Sequence, residues 1–161
     1  MSDKDRTLDA VKQIDDMYSA QGIPSIGGFM NRIAATESNL GQDKLGSYSF
    51  SPFQMDDIRY QDVVNRTADS APGQRRADIA NKFLRQKLGR DDFDILDLNL
   101  KEEGHNPYIG AALTRMALAF NPNAIPEDLE GQANYWKKYW NSEAGAGTPA
   151  FFKEQVAAHD L

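Results

Sequence analysis

The chain has 161 residues, no cysteine and a net charge of −6 at pH 7, and 40% of its residues are hydrophobic. That length makes a single domain over residues 1–161 the expected organisation, and the composition is that of a folded protein rather than a disordered one. The lack of cysteine excludes a disulfide framework and thiol chemistry, and a pI near 4.9 with scattered basic residues speaks against nucleic-acid binding as a main role.

In chain order, Leu8, Val11, Ile14, Met17 and Tyr18 recur at helical spacing and predict a first helix, closed by Gln21-Gly22-Ile23-Pro24. Ser25 is a candidate N-cap for a second helix carrying Glu37, with Asn39 and Gly41 as its stop signals. After a polar loop over 39–46, Tyr48 and Phe50 alternate with serines, which predicts a short strand or hairpin arm ended by Pro52. Residues 57–65 and 75–88 carry further helical stripes, the latter through Ile79, Phe83, Leu84 and Leu88 before Gly89. The stretch between them, 67–73, is the most linker-like in the chain, but the flanking amphipathic helices make it an internal connection. Asn106-Pro107 pairs a cap with a proline at the first helical position, and the helix it starts runs through Ile109, Leu113, Met116 and Phe120. Pro126 opens another with Leu129, Ala133, Trp136, Tyr139 and Trp140; Thr148-Pro149 starts a terminal helix holding Phe151, Phe152 and Val156. The expected class is therefore α+β but mostly α, with one small β element near residues 47–55. No run approaches transmembrane length, and residues 1–6 lack the apolar stretch of a signal peptide. The expectation is a protein made in a cytoplasm without its own export signal, and not inserted in a membrane.

Glu37 is the most informative residue. Met30, Ile33 and Ala34 precede it by seven, four and three positions, so its carboxyl shares their apolar helix stripe. An ionised carboxylate is costly to bury, so desolvation raises its pKa and keeps a proton available near neutral pH. A protonated carboxyl at a helix end, facing a cleft, is what a glycosidase's general acid requires. Taken alone, a Glu beside two helix stop signals reads more simply as a solvated helix end.

The residues downstream of Glu37 change that reading. Glu37-Ser38, a short loop and Ser51-Pro52-Phe53-Gln54-Met55 resemble the signature of the lysozyme-like superfamily, more narrowly of lytic transglycosylases and goose-type lysozymes. In those proteins a Glu-Ser pair is followed by a Gly-Leu-Met-Gln or Gly-Pro-Phe-Gln turn; Ser51 stands here where the family usually has Gly. Asn106-Pro107-Tyr108-Ile109 resembles the family's Asn-Ile helix start, with Tyr108 where Asn is usual. The segment from Tyr139 to Thr148 resembles its Tyr-Asn-x-Gly-x-Gly stretch, with Trp140-Asn141 in place of Tyr-Asn. The match spans about residues 25–158 and looks most like bacteriophage-encoded lysozyme-like domains.

The resemblance implies a lysozyme-like fold and cleavage of the β-1,4 bond between N-acetylmuramic acid and N-acetylglucosamine in peptidoglycan strands, with Glu37 as acid/base. Ser38, Tyr48, Gln54, Tyr108, Trp140 and Asn141 become candidate substrate-binding residues. Asp43 is the one carboxylate in the loop after Glu37, and the candidate second carboxylate of a hydrolysing muramidase; on its own it reads first as a solvated loop residue. Asp56 and Asp57 read as cap and first-turn charges of the next helix. Without a second carboxylate the family offers a transglycosylase route that uses one Glu and leaves a 1,6-anhydromuramyl end. No metal or organic cofactor is expected; His105 and His159, the two histidines, lack the spacing of a zinc site. Such a protein would reach the wall by delivery in a virion, with other virion proteins as candidate partners, or by release through a holin. A glycan-binding virion module with poor turnover is the rival reading.

Overall fold

The computed structural model describes residues 1–44, 49–141 and 146–161. The first helix, α1 (Asp3–Ser19), starts at a reciprocal cap in which the Ser2 hydroxyl accepts from the Asp5 amide while the Asp5 carboxylate takes the Ser2 amide. Its buried stripe is Ala10, Val11, Ile14 and Tyr18, with Leu8 and Met17 at the margin of the core.

The second helix, α2 (Gly27–Ser38), is capped differently from the expectation. Ile26, not Ser25, holds the cap position, and Asp15 of α1 reaches across to accept the Ile26 amide (2.9 Å) and the Ser25 hydroxyl. Asp15 thus fastens the entry of α2 to α1, although no side chain caps the first-turn amides of α2. At the other end Asn39 adopts the left-handed conformation (φ 53°), so the helix stops where the sequence predicts.

The strand expected over 47–55 is reduced, among the described residues, to one antiparallel bridge. The Phe50 and Met55 backbones exchange hydrogen bonds of 2.7 and 2.8 Å around a tight turn, residues 51–54, with the Gln54 amide on the Ser51 carbonyl (3.1 Å). Pairing cannot extend on the far side, because Asp56 immediately caps the next helix by accepting the Arg59 amide (2.7 Å). Ser47 and Tyr48 lie outside the described residues.

The helices α3 (Asp57–Ala68) and α4 (Ala71–Leu88) follow as a hairpin. The stretch 67–73 is an internal connection, as expected: Ser70 caps Gly73 and Pro72 sits in the first turn of α4, where a missing N–H costs nothing. A short helix, α5 (Leu100–Glu103), precedes α6 (Pro107–Ala119), for which Asn106 and Pro107 act as cap and first residue as expected. Nearly every residue of α6 is buried, and α1, α2, α3 and α4 all pack on it. A helix apolar all round belongs at the centre.

The expected start at Pro126 is displaced: Asp128 caps α7 (Leu129–Tyr135) by accepting the Gly131 amide. That helix continues as a π-helical segment, Trp136–Asn141. The last helix, α8 (Pro149–Ala158), begins at Thr148 as expected and packs on α2 and α7 through Phe152 and Val156, while Phe151 is exposed. The described residues are thus mostly helical with no extended strand. No helix among them is long and apolar enough to cross a membrane.

Candidate active site

Glu37 sits on the last turn of α2, behind Met30, Ile33 and Ala34, all fully buried. Its own side chain is half-buried. One oxygen, Oε1, accepts the indole N–H of Trp136 at 3.0 Å; Oε2 receives no hydrogen bond from a described residue. Burial pushes the carboxyl from its ordinary 4.5 up to about 7, outweighing the Trp136 hydrogen bond and the Arg59 charge, which both pull downward. The group therefore exchanges its proton near neutral pH, as the apolar stripe implied.

Ser38, next in sequence, is fully buried and works on the backbone. Its hydroxyl donates to the Pro52 carbonyl (2.6 Å), with the Ala34 carbonyl at 3.1 Å, and accepts the Gly41 amide at 2.8 Å. This draws the turn at 51–54 against the end of α2. Gln54 then reaches back and donates from its side-chain amide to the Glu37 carbonyl. Gln54 and Ser51 both have positive φ, 54° and 68°. Ser51 thus adopts the conformation that the glycine of the resembled turn would adopt freely, at a cost of about 1 kcal/mol for an L-residue. The space comes from Gly110 of α6: a Cβ there would run into the Ser51 side chain.

The last wall is the π-helical segment. Trp136 and Trp140, four residues apart, do not simply share a core face. Trp136 is 1% exposed yet spends its N–H on Glu37, while Trp140, 5% exposed, donates to the Phe53 carbonyl at 3.2 Å. The Arg59 guanidinium covers the Trp140 ring at 4.0 Å and donates to the Trp140 carbonyl. Trp140 is therefore a buried anchor of the turn rather than an open platform for a sugar. Asn141 ends the segment, half-buried, with its side-chain oxygen accepting from Lys137 (3.0 Å).

The fold therefore gathers Glu37, Ser38, Gln54 and Trp140 in one hydrogen-bonded unit. Tyr108 falls outside it: it is buried, its hydroxyl donates to Asp9 of α1, and Lys87 lies over its ring at 4.5 Å. Tyr48 lies outside the described residues. Asp43 is exposed, its carboxylate 3.4 Å from the Asn39 side-chain amide. It lines a cavity of about 350 Å³ with Arg6, Lys44, Pro52 and His105, and Glu37 is not part of that lining. Among the described residues no cluster of His, Asp and Glu could hold a metal ion. Two members of the site are not legible as such in the sequence. Trp136 reads as core, and Arg59 reads as one charge among several after an N-cap; no local signal separates either from that reading.

Compared with known proteins, the chain matches no protein-family model, no curated protein and no solved structure.

Proposed function

We propose that the protein is a peptidoglycan-cleaving enzyme of lysozyme-like fold, acting on the β-1,4 bond between N-acetylmuramic acid and N-acetylglucosamine in the manner of a lytic transglycosylase. The observation that carries this reading is the Glu37 carboxyl, half-buried, held by Trp136 and pushed up to about 7. Such a group carries a proton at neutral pH and also exists as the anion, so one residue can act first as acid and then as base.

The steps balance with that residue alone. Protonated Glu37 gives its proton to the glycosidic oxygen as the C1–O bond breaks, releasing the N-acetylglucosamine hydroxyl. The substrate's own N-acetyl group stabilises the charge left at C1. The Glu37 carboxylate then takes the proton of the C6 hydroxyl, O6 closes on C1, and the acid is restored. No metal or organic cofactor enters the scheme. The product is a 1,6-anhydromuramyl end.

Two features favour this route over hydrolysis. An inverting hydrolase places a second carboxylate roughly 6.5–9.5 Å from the first to activate water. Among the described residues the charge acting on Glu37 is the Arg59 cation. Asp43, the sequence's candidate for that task, is exposed beside a cavity that does not include Glu37. Gln54, whose amide already braces Glu37, is one candidate to meet an N-acetyl group; Asn141 is the other.

Digestion of purified peptidoglycan followed by mass spectrometry of the muropeptides tests the reading. Anhydro ends are the expected product. Reducing ends would turn the assignment to a muramidase, and intact strands would leave a glycan-binding module in its place.

A further inference from the structure

We infer that Arg59 is a positioning residue of the Glu37 site: it fastens the π-helical segment that presents Trp136 to the carboxyl, and it brings a cation into the surroundings of that carboxyl. The inference rests on Glu37 being the working acid, but its geometry stands apart from the substrate.

The local sequence explains the placement. Asp56 caps α3 on the Arg59 amide, which puts Arg59 in the first helical turn, and side chains on a helix lean toward its N-terminus. Arg59 therefore projects out of the end of α3 toward the turn at 51–54 and the π-helical segment. There its guanidinium does two things at once. It lies over the Trp140 ring at 4.0 Å, and it donates to the Trp140 carbonyl. A carbonyl near the end of a helical segment lacks an intrahelical donor, so the guanidinium supplies one that the backbone cannot. Stacking together with a directed N–H is a task for Arg that Lys cannot copy.

Trp140 is the joint through which this reaches Glu37. Its indole N–H holds the Phe53 carbonyl, Phe53 adjoins Gln54, and the Gln54 side chain holds the Glu37 carbonyl. Four residues earlier on the same segment, Trp136 holds the Glu37 carboxyl itself. Arg59 thus grips the one segment from which both arms extend.

Its charge makes no close ion pair among the described residues; its acidic neighbours are Asp56, Asp62 and Glu37, and Asp62 is paired with Arg66 at 3.1 Å. Asp56 and Asp62 are exposed and screened by water, whereas Glu37 and Arg59 are both half-buried. The cation acts on Asp56 first and on Glu37 next, and of the two only Glu37 is itself half-buried. Trp136 stabilises the same ionised form by hydrogen bonding. Between them they make the acid able to release its proton to a leaving oxygen, instead of holding it as burial alone would dictate.

The test is a carbon-detected NMR titration of the Glu37 carboxyl in three proteins: the wild type and two Arg59 variants. Arg59→Gln keeps a donor for the Trp140 carbonyl and removes the charge; it should raise the Glu37 midpoint by about one unit, the lower end of the range for losing an opposite charge nearby. Arg59→Lys keeps the charge and should leave the midpoint near the wild-type value, while losing the stacking and loosening the segment, read as a change in Trp136 and Trp140 indole N–H shifts. A merely structural Arg59 would move stability in both variants alike and the midpoint in neither. An unchanged midpoint in folded Arg59→Gln overturns the electrostatic half of the inference, and unchanged indole shifts in Arg59→Lys overturn the clamp. If Arg59→Gln does not fold, the Lys variant and a salt series on the wild type decide. The Glu37 midpoint should rise as salt screens the cation, and no response would count against it. Because the readout is the carboxyl and not turnover, a failure of the peptidoglycan reading shows in the muropeptides and leaves this result intact.

Discussion

Two carboxylates six residues apart, Glu37 and Asp43, show how differently the fold treats the two sides of one helix end. Glu37 belongs to the last turn of α2, so its position is fixed by three buried neighbours on the same stripe and by the segment that closes over it. Asp43 belongs to the loop after the left-handed Asn39, where the chain has turned away toward α1. Its carboxylate is exposed and shares a cavity with Arg6, Lys44 and His105. Ser38 divides the two environments: its hydroxyl ties the turn at 51–54 to α2 and takes the Gly41 amide at the start of the loop. Chemical type is the same on both sides; desolvation is not. What raises the pKa of a carboxyl here is the covering of a helix end, not the presence of a carboxylate near it.

The largest effect expected from breaking that contrast is on turnover. Glu37→Gln keeps the shape and the Trp136 contact but has no proton to give. Peptidoglycan cleavage, monitored by release of soluble fragments, should fall by about 10²–10⁴, the usual scale for removing a general acid. Wild-type clearance by this variant would end the assignment.

The next effect is on stability and has a definite sign. Because the folded pKa of Glu37 lies above its ordinary value, the folded state holds a proton that the unfolded chain has lost between pH 4.5 and about 7. Stability contributed by the protonated form is present below the ordinary value and is lost as pH rises through about 7. The loss is on the order of 3 kcal/mol before solvent screening reduces it. Urea unfolding at pH 5 and pH 8 should show the wild type weaker at the higher pH, and Glu37→Gln should flatten that difference. An unaltered pH dependence in the variant would mean that the carboxyl is not desolvated.

A smaller effect tests the turn that supports Gln54. Gly110→Ala brings a methyl group into Ser51 and should cost about 1–3 kcal/mol of stability, the usual scale for overpacking. In a Ser51→Gly background most of that cost should disappear, since the opposing side chain is gone; Gly also suits the φ of 68° at that position. Equal costs in both backgrounds would show that the two positions are not coupled.

The smallest effect belongs to Asp43→Asn. With the carboxylate exposed and remote in environment from Glu37, the cleavage rate should change less than about twofold, in keeping with ordinary surface substitutions. A collapse on the scale of Glu37→Gln, with the fold unchanged, would make Asp43 the base of a muramidase.

The parts of this arrangement that are legible in the sequence are those set by local rules. Helical stripes, the Asn106-Pro107 and Thr148-Pro149 starts, the Asp56 cap and the stop at Asn39 all depend on residues a few positions apart. Glu37 is legible for the same reason, since its stripe lies within one helix. The illegible parts depend on contacts across the chain. Asp15 of α1 holds the residue before α2, Arg59 reaches Trp140 eighty-one positions away, and Trp136 meets Glu37 across ninety-nine. The aromatic candidates divide along the same line. Trp140 and Tyr108 are amphipathic side chains whose polar tips find internal partners, Phe53 and Asp9, and nothing in their spacing announces those partners.

The most direct test of the central claim is the titration of the wild-type Glu37 carboxyl through its own carbon signal. A midpoint near 7, well above the ordinary 4.5, is the result that the buried helix end and its segment predict. A midpoint at or below 4.5 would mean that water reaches the carboxyl freely, and would remove the physical basis for Glu37 as a proton donor at neutral pH.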